Sequence, residues 1–343
     1  MNGALDERLR AYLRRRLGRP DLEISGLARI HGGASRETYR FRAHYSVGGR
    51  KAERGLILRR DPEASLIETE RAIEFCAYRA FHGTGVPVPE VIALEEDAGP
   101  LGRPFFVMEE IADCQTASVL SGDPYGAHRD AIGRQFWTIL GRIAATDAAK
   151  TGMAALVDLP PVETAWRREL AHWMGVVDED EQEPQPIARA AARWLERNPP
   201  PVARRISVVH GDYRTGNFLF DDTGRIRAIL DWEMAHLGDP LEDLAWALDP
   251  AWAPQDPNRP GGMIARDEAI ALWEEASGLA ADPAALSWWE IFASFKGAAI
   301  WISAAREFAD GRNRDPVNAF SGWYLLAFHN KVLADRLVAR AAA

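Results

Sequence analysis

The sequence predicts an α+β protein in which residues up to about 110 are strand-rich with one helix and residues beyond about 115 are mostly helical. Three observations carry this. Short runs of β-branched and aromatic residues separated by glycine turns fill the first part. Apolar residues at helical spacing dominate the second. Inside that helical part sits one isolated strand-and-hairpin pattern at 206–230, which needs a local reason of its own. With 343 residues, 47% of them hydrophobic, the chain can bury a large core as one two-lobed unit or two small domains.

The first element is an amphipathic helix, with Leu5, Leu9, Tyr12, Leu13 and Leu17 on one face and Gly18 placed to end it. Its arginines, Arg8 to Arg19, suggest a targeting peptide, but Asp6 and Glu7 interrupt them and no hydrophobic stretch or small-residue cleavage site follows. We therefore expect a cytoplasmic protein. Leu22–Ile30 and Thr38–Tyr45 read as strands joined by the loop 31–37. A turn at Val47-Gly48-Gly49-Arg50 leads to a third strand, Gly55–Arg60. A helix from Glu63 to about His82 follows, then strands Val91–Leu94 and Phe105–Met108. The last of these ends at Glu109-Glu110, where a boundary between segments 1–110 and 111–343 is expected. The acidic run Asp178–Glu183 reads as a solvated loop, and Pro199-Pro200-Pro201 as a stiff connector.

Composition excludes several classes. A net charge of −9 and a pI near 5.5 do not fit a nucleic-acid binder, whose domain pI would exceed about 9. No apolar run approaches the roughly 18 residues that a membrane helix requires. Two cysteines, Cys76 and Cys114, cannot build a disulfide scaffold.

The stretch His210-Gly211-Asp212-Tyr213-Arg214-Thr215-Gly216-Asn217 carries the chemistry. A β-branched strand, Ile206 to Val209, leads into it. Phe218–Phe220 and Ile226–Leu230 then form a hairpin around Asp221-Asp222-Thr223-Gly224, and Asp231 ends the second strand. Asp212 can accept a hydroxyl proton, while Asn217 and Asp231 offer the hard oxygens that hold Mg²⁺ against a nucleotide's phosphates. His210 reads as a loop-stabilising residue. Asp239 and Asp243 stand at a helix start and are expected to brace the catalytic loop.

On these residues the sequence resembles the aminoglycoside phosphotransferase-like kinases, and within them the branch of kinase-like domains fused to some acyl-CoA dehydrogenases. Gly238-Asp239-Pro240-Leu241-Glu242-Asp243-Leu244-Ala245 and the helix with Phe295-Lys296-Gly297-Ala298-Ala299-Ile300 share the likeness. It implies a bilobal protein-kinase-like fold, with a nucleotide-binding N-lobe at 1–110 and a catalytic and substrate-binding C-lobe at 111–343. It also implies phosphorylation of a small-molecule hydroxyl rather than a protein.

The nucleotide, ATP or GTP, is expected at several positions. Gly32 and Gly33 allow close backbone approach to phosphate, and Ser35 offers a hydroxyl; the likeness extends to Thr38-Tyr39. The third strand has no Lys, so Arg59 is the expected phosphate cation and Arg60 the alternative, because side-chain alternation lets only one face the cleft. Glu74 is its expected partner, with Glu70 one turn earlier. Met108, Glu109 and Ile111 are expected along the adenine. Lys296 and Arg306 are candidates for an anionic substrate, each alternatively a solvated cation covering apolar surface. The branch likeness suggests a hydroxyacyl-CoA or hydroxy acid as acceptor. The competing readings are an antibiotic kinase, which prepares an acidic cleft, and a pseudokinase, prompted by the missing Lys.

Overall fold

In the computed structural model, residues 2–30, 37–61, 71–118, 121–253 and 255–341 are described. The first helix, α1 (Asn2–Leu17), is followed by β1 (Glu23–Ile30), β2 (Glu37–Val47), β3 (Arg50–Arg60), α2 (Arg71–Phe81), β4 (Val91–Glu95) and β5 (Phe105–Glu109). Among the described residues these strands form one antiparallel sheet in the order β1-β2-β3-β5-β4. The turn between β2 and β3 is made by Gly48 and Gly49, both at positive φ. β3 begins five residues earlier than the apolar pattern suggests, because Arg50 to Arg54 pair with β2 although none of their side chains is buried.

Strand alternation divides the sheet's environment in two. Leu56 and Leu58 of β3 join Phe41, Phe105 and Val107 in a small core covered by α1, where Tyr12 meets Phe105 edge-on at 4.8 Å. Ile57, Phe106 and Met108 point the other way, against Phe75 and Tyr78 of α2. That second face continues into the core of the helical part, so the two parts of the chain share buried apolar contacts. Phe81 of α2 stacks on Trp232 at 4.8 Å, both almost completely buried.

The helical part comprises α3 (Arg129–Ala144), α4 (Ala165–Asp180), α5 (Pro186–Arg197), α6 (Leu241–Ala247), α7 (Arg266–Ser277), α8 (Pro283–Ala309), α9 (Pro316–Phe320) and α10 (Leu326–Ala341). Between α5 and α6 lie the short strands β6 (Ser207–Val209), β7 (Phe218–Phe220), β8 (Ile226–Ile229) and β9 (His236–Gly238). β6 pairs with β9, and β7 with β8. α8 is the spine. Asp282 caps it by accepting from the amides of Ala284 and Ala285, Pro283 takes its first turn, and Trp288, Trp289, Phe292 and Phe295 are buried along it. These tryptophans are core residues, and Trp289 donates its indole N–H to Asp239.

The acidic run departs from expectation. α4 continues through Asp180, and Arg189 of α5 pairs with both Asp178 and Glu181, so its first half is a helix end held by a neighbouring helix. No helix among the described residues is long and apolar enough to cross a membrane.

α3 and α7 approach closely at Gly141, where a Cβ would stand 2.6 Å from the Ala276 Cβ and 2.7 Å from the Trp273 carbonyl oxygen. Gly141→Ala gains about 1 kcal/mol of helix propensity. Overpacking costs ~1–3 kcal/mol, so the net effect is expected to be destabilising. Denaturant midpoints of the two proteins measure it, and a stabilised variant contradicts the packing described.

Candidate active site

The loop 210–217 leaves β6 and is held from below. The Asp243 carboxylate accepts from the amides of His210 at 2.6 Å and Gly211 at 2.9 Å. Gly211 has φ +84°, and a Cβ there would run into the Met234 carbonyl, so glycine is required. His210 is fully buried, and that burial holds its imidazole below the ordinary pKa. Its Nδ1 accepts from the Asp212 amide, which leaves Nε2 to donate to the Leu230 carbonyl. It is a loop brace, one turn of polypeptide away from the chemistry.

Asp212 is surrounded by donors. Trp246 Nε1 donates to Oδ1 at 2.9 Å, and Arg214 Nε spans both oxygens at 2.9 and 3.1 Å. Asn217 Nδ2 donates to Oδ2 at 2.6 Å. The hairpin places Asn217 beside the end of β8, where its carbonyl accepts from the Leu230 amide at 2.8 Å. Asp231 follows in the left-handed region at φ 66°, and its amide donates to the Tyr78 hydroxyl at 3.0 Å. A non-glycine residue there carries strain of order 1–3 kcal/mol, which the bond to Tyr78 helps to hold.

Across the cleft, Arg59 lies on the face of β3 that looks toward α2. Its Nη1 is 2.9 Å from Glu74 Oε1, and its Nη2 is 3.3 Å from Asp231 and 3.8 Å from Glu233. Glu74 is completely buried, and only 11% of the Arg59 side chain is exposed. Burial opposes the charged guanidinium, yet Glu74, Asp231 and Glu233 raise its pKa above the ordinary value. Arg60 projects to the opposite face, where it pairs with Glu37 at 2.5 Å and lies over Tyr39. Three carboxylates thus face one guanidinium, a formal excess of two negative charges beside Asp231. That excess and the hard oxygens of Asp231 and Asn217 fit a divalent cation.

At the end of β5, Met108 is buried, and two of the amides that follow are already used. Glu109 N–H donates to Glu90 and Glu110 N–H to Gly55. Among the described residues, Ile111 N–H is the amide left for a ligand along that stretch. The Gly32, Gly33 and Ser35 loop and Glu70 lie outside the described residues.

Lys296 requires a correction. Expected as a cation for substrate, it is 1% exposed, pairs with Glu242 at 2.9 Å and donates to the Gly211 carbonyl at 2.7 Å. An ammonium enclosed in this way is part of the loop's foundation. Arg306 lies ten residues further along α8, about 15 Å along its axis, and pairs with Asp310 at 2.7 Å. The structure does not bring it to Asp212. Conversely, sequence reading passed over Arg214, Trp246, Tyr78 and Glu233. Arg214 could have been noticed, because it lies two residues from Asp212 within the same tight loop. The others arrive from distant segments.

The family model described as the phosphotransferase enzyme family matches residues 26–279. Mouse acyl-CoA dehydrogenase family member 10 is 30% identical over 250 residues, which cover 70% of this chain and 22% of that protein. The chain spans between 22% and 33% of the acyl-CoA dehydrogenase proteins it matches. Among solved structures, a Ralstonia eutropha protein assigned to the aminoglycoside phosphotransferases superposes with a TM-score of 0.73 at 22% identity, over 96% of this chain and 97% of that one. The aminoglycoside phosphotransferase APH(4)-Ia, in complex with AMP-PNP and hygromycin B, gives 0.59 at 18% identity, over 98% and 99% of the two chains. These superpositions show the bilobal kinase-like fold. The matched span takes in the five-stranded sheet, the Arg59 cluster, the Asp212 loop and Asp231, and the chain belongs to the phosphotransferase enzyme family.

Proposed function

We propose that this protein is a small-molecule kinase that transfers the γ-phosphoryl group of ATP to an alcohol on an anionic acyl-type acceptor, a hydroxyacyl-CoA or hydroxy acid. The observation that carries the kinase reading is the convergence of Asp212, Asn217 and Asp231 on one side of a cleft with Arg59 and Glu74 on the other. Residues 1–110 would then bind nucleotide, and residues 111–343 would supply catalysis and the acceptor site.

Each residue has a task in this reading. Met108 packs on the adenine, and Ile111 N–H meets its edge. Arg59 presents a guanidinium oriented by Glu74 to the phosphates, with the loop of Gly32, Gly33 and Ser35 covering them. Asn217 Oδ1 and the Asp231 carboxylate would hold Mg²⁺. When bound, the ion neutralises charge on the phosphates as the bond to ADP breaks. Asp212 accepts the proton of the acceptor hydroxyl as its oxygen bonds to the γ-phosphorus. A carboxylate offers about four lone-pair positions, and here three N–H groups meet it, the single Arg214 Nε–H being shared between both oxygens. The acceptor hydroxyl would enter from the exposed side, beside the shared Arg214 Nε–H. Arg214 is the most exposed of these donors, its guanidinium resting on Trp252 at 4.8 Å and donating to the Thr215 carbonyl at 3.0 Å.

The acceptor class rests on the likeness to acyl-CoA dehydrogenase family proteins and on the sign of the side chains at Asp212. Arg214, Trp246 and Trp252 are cationic or aromatic, whereas a polycationic aminoglycoside needs carboxylates there. The intact Asp212, Asn217 and Asp231 and the Arg59–Glu74 pair favour an enzyme over a nucleotide-binding pseudokinase.

ADP formation from Mg-ATP across hydroxyacyl-CoAs, hydroxy acids, aminoglycosides and amino alcohols tests the class. Turnover is expected with the first two, and turnover of aminoglycosides alone overturns the acceptor assignment. With an active acceptor, Asp212→Ala should lower kcat by about 10²–10⁴-fold while ATP still binds. Near-normal kcat in that variant removes Asp212 from the mechanism. Arg59→Lys keeps a cation beside Glu74 but cannot fork between α2 and Asp231. Losing one charge-assisted bond of about 1.5 kcal/mol should weaken ATP about tenfold, as read by calorimetric titration with Mg-ATP.

A further inference from the structure

A buried chain of charges lies beneath the Asp212 loop, and the chemistry described so far does not use it. Lys296 of α8 is 1% exposed and sits over Trp173 and Trp246, 5.5 and 5.2 Å from their ring centres. Its ammonium contacts Glu242 of α6 at 2.9 Å. The other oxygen of Glu242 accepts from His236 Nε2 of β9 at 3.0 Å, and Glu169 of α4 is 3.6 Å from the same nitrogen. His236 Nδ1 faces the Met234 carbonyl at 3.0 Å, so both ring nitrogens meet acceptors and the imidazolium satisfies them. Arg168 pairs with Glu169 at 3.1 Å, so three cations surround the two carboxylates.

Glu169, His236 and Glu242 bring their ligand atoms within 4.8 Å of one another, a spacing that could hold a metal ion. Here the His236 imidazolium, the Lys296 ammonium and the Arg168 guanidinium supply the positive charge, and the cluster is complete without one. Desolvating so many charges is expensive, and apolar packing of the same volume is often as stable or more so. Stability alone is thus a weak reason for this arrangement.

Its geometry gives a better one. Lys296 also donates to the Gly211 carbonyl at 2.7 Å, while Asp243, the neighbour of Glu242, holds the Gly211 amide. The peptide groups on both sides of Gly211 are thereby fixed from α8 and α6, one residue before Asp212. We propose that Lys296, set in place by Glu242 and its partners His236 and Glu169, is a positioning residue that holds Asp212 in register with the phosphoryl group. This deepens the kinase reading and rests on Asp212 being its proton acceptor.

The test separates positioning from stability. Lys296→Met leaves buried Glu242 with His236 as its one remaining cationic partner, so the thermal midpoint should fall. Lys296→Met combined with Glu242→Gln removes both charges and should regain much of that loss. In the double variant the Gly211 carbonyl still lacks its donor. Amide hydrogen exchange across 207–217 should run at least tenfold faster than in the wild type, while α8 keeps its protection. With the acceptor identified by the screen above, kcat should be at least tenfold lower and the KM for ATP within twofold. A double variant with wild-type exchange in this loop, or with turnover restored alongside its midpoint, overturns the proposal. Wild-type protein that turns over no acceptor, or Asp212→Ala that turns over normally, defeats the kinase reading instead. The exchange measurement still decides whether Lys296 braces the loop.

Discussion

The buried guanidinium of Arg59 is the interaction on which the arrangement of the cleft depends. It is shared by Glu74 from α2, Asp231 from the end of β8 and Glu233 from the turn after it. Removing one partner from such a group leaves an uncompensated buried charge, a loss of roughly 3–5 kcal/mol, so the elements are tied together more tightly than any single distance suggests. The sheet, its helix and the β7–β8 hairpin are thereby set at one spacing. The Phe81–Trp232 stack and the Tyr78 hydroxyl on the Asp231 amide reinforce the same junction.

Beneath this junction the protein solves a second problem. A loop that offers a carboxylate to a ligand cannot sit deep in an apolar core, yet it must not wander. The structure buries the peptide of Gly211 and leaves the side chain of Asp212 partly open. Side chains from α6 and α8 then take the place of the strand neighbour that the loop lacks, and β6 extends the support through its pairing with β9.

Much of this was legible in the sequence because the relevant rules are local. The period of two in β3 separates Arg59 from Arg60, and the sheet register puts them on opposite faces as that parity requires. The hairpin after Asn217 follows from two apolar runs around Asp221-Asp222-Thr223-Gly224, and Asp243 bracing the loop follows from its place at a helix start. The failures are tertiary. Lys296 looks like any helical cation until Glu242, 54 residues earlier, is folded against it. Trp246 has the spacing of an ordinary core aromatic, and nothing local says that its N–H reaches Asp212. The acidic run extends α4 because Arg189, from the next helix, neutralises it.

The crowding of donors around Asp212 has a consequence for idle chemistry. Three N–H donors leave this partly open carboxylate little room for a stray water molecule. In a kinase, a water activated there would hydrolyse the nucleotide without product. Trp246 and Asn217 are buried and Arg214 is the most exposed of the three donors, so under the proposed function this arginine would govern access to Asp212. An anionic acceptor of the kind proposed would offer the guanidinium a second partner, which water does not. Discrimination between a productive acceptor and solvent would then reside in a single arginine, exercised before any phosphoryl group moves.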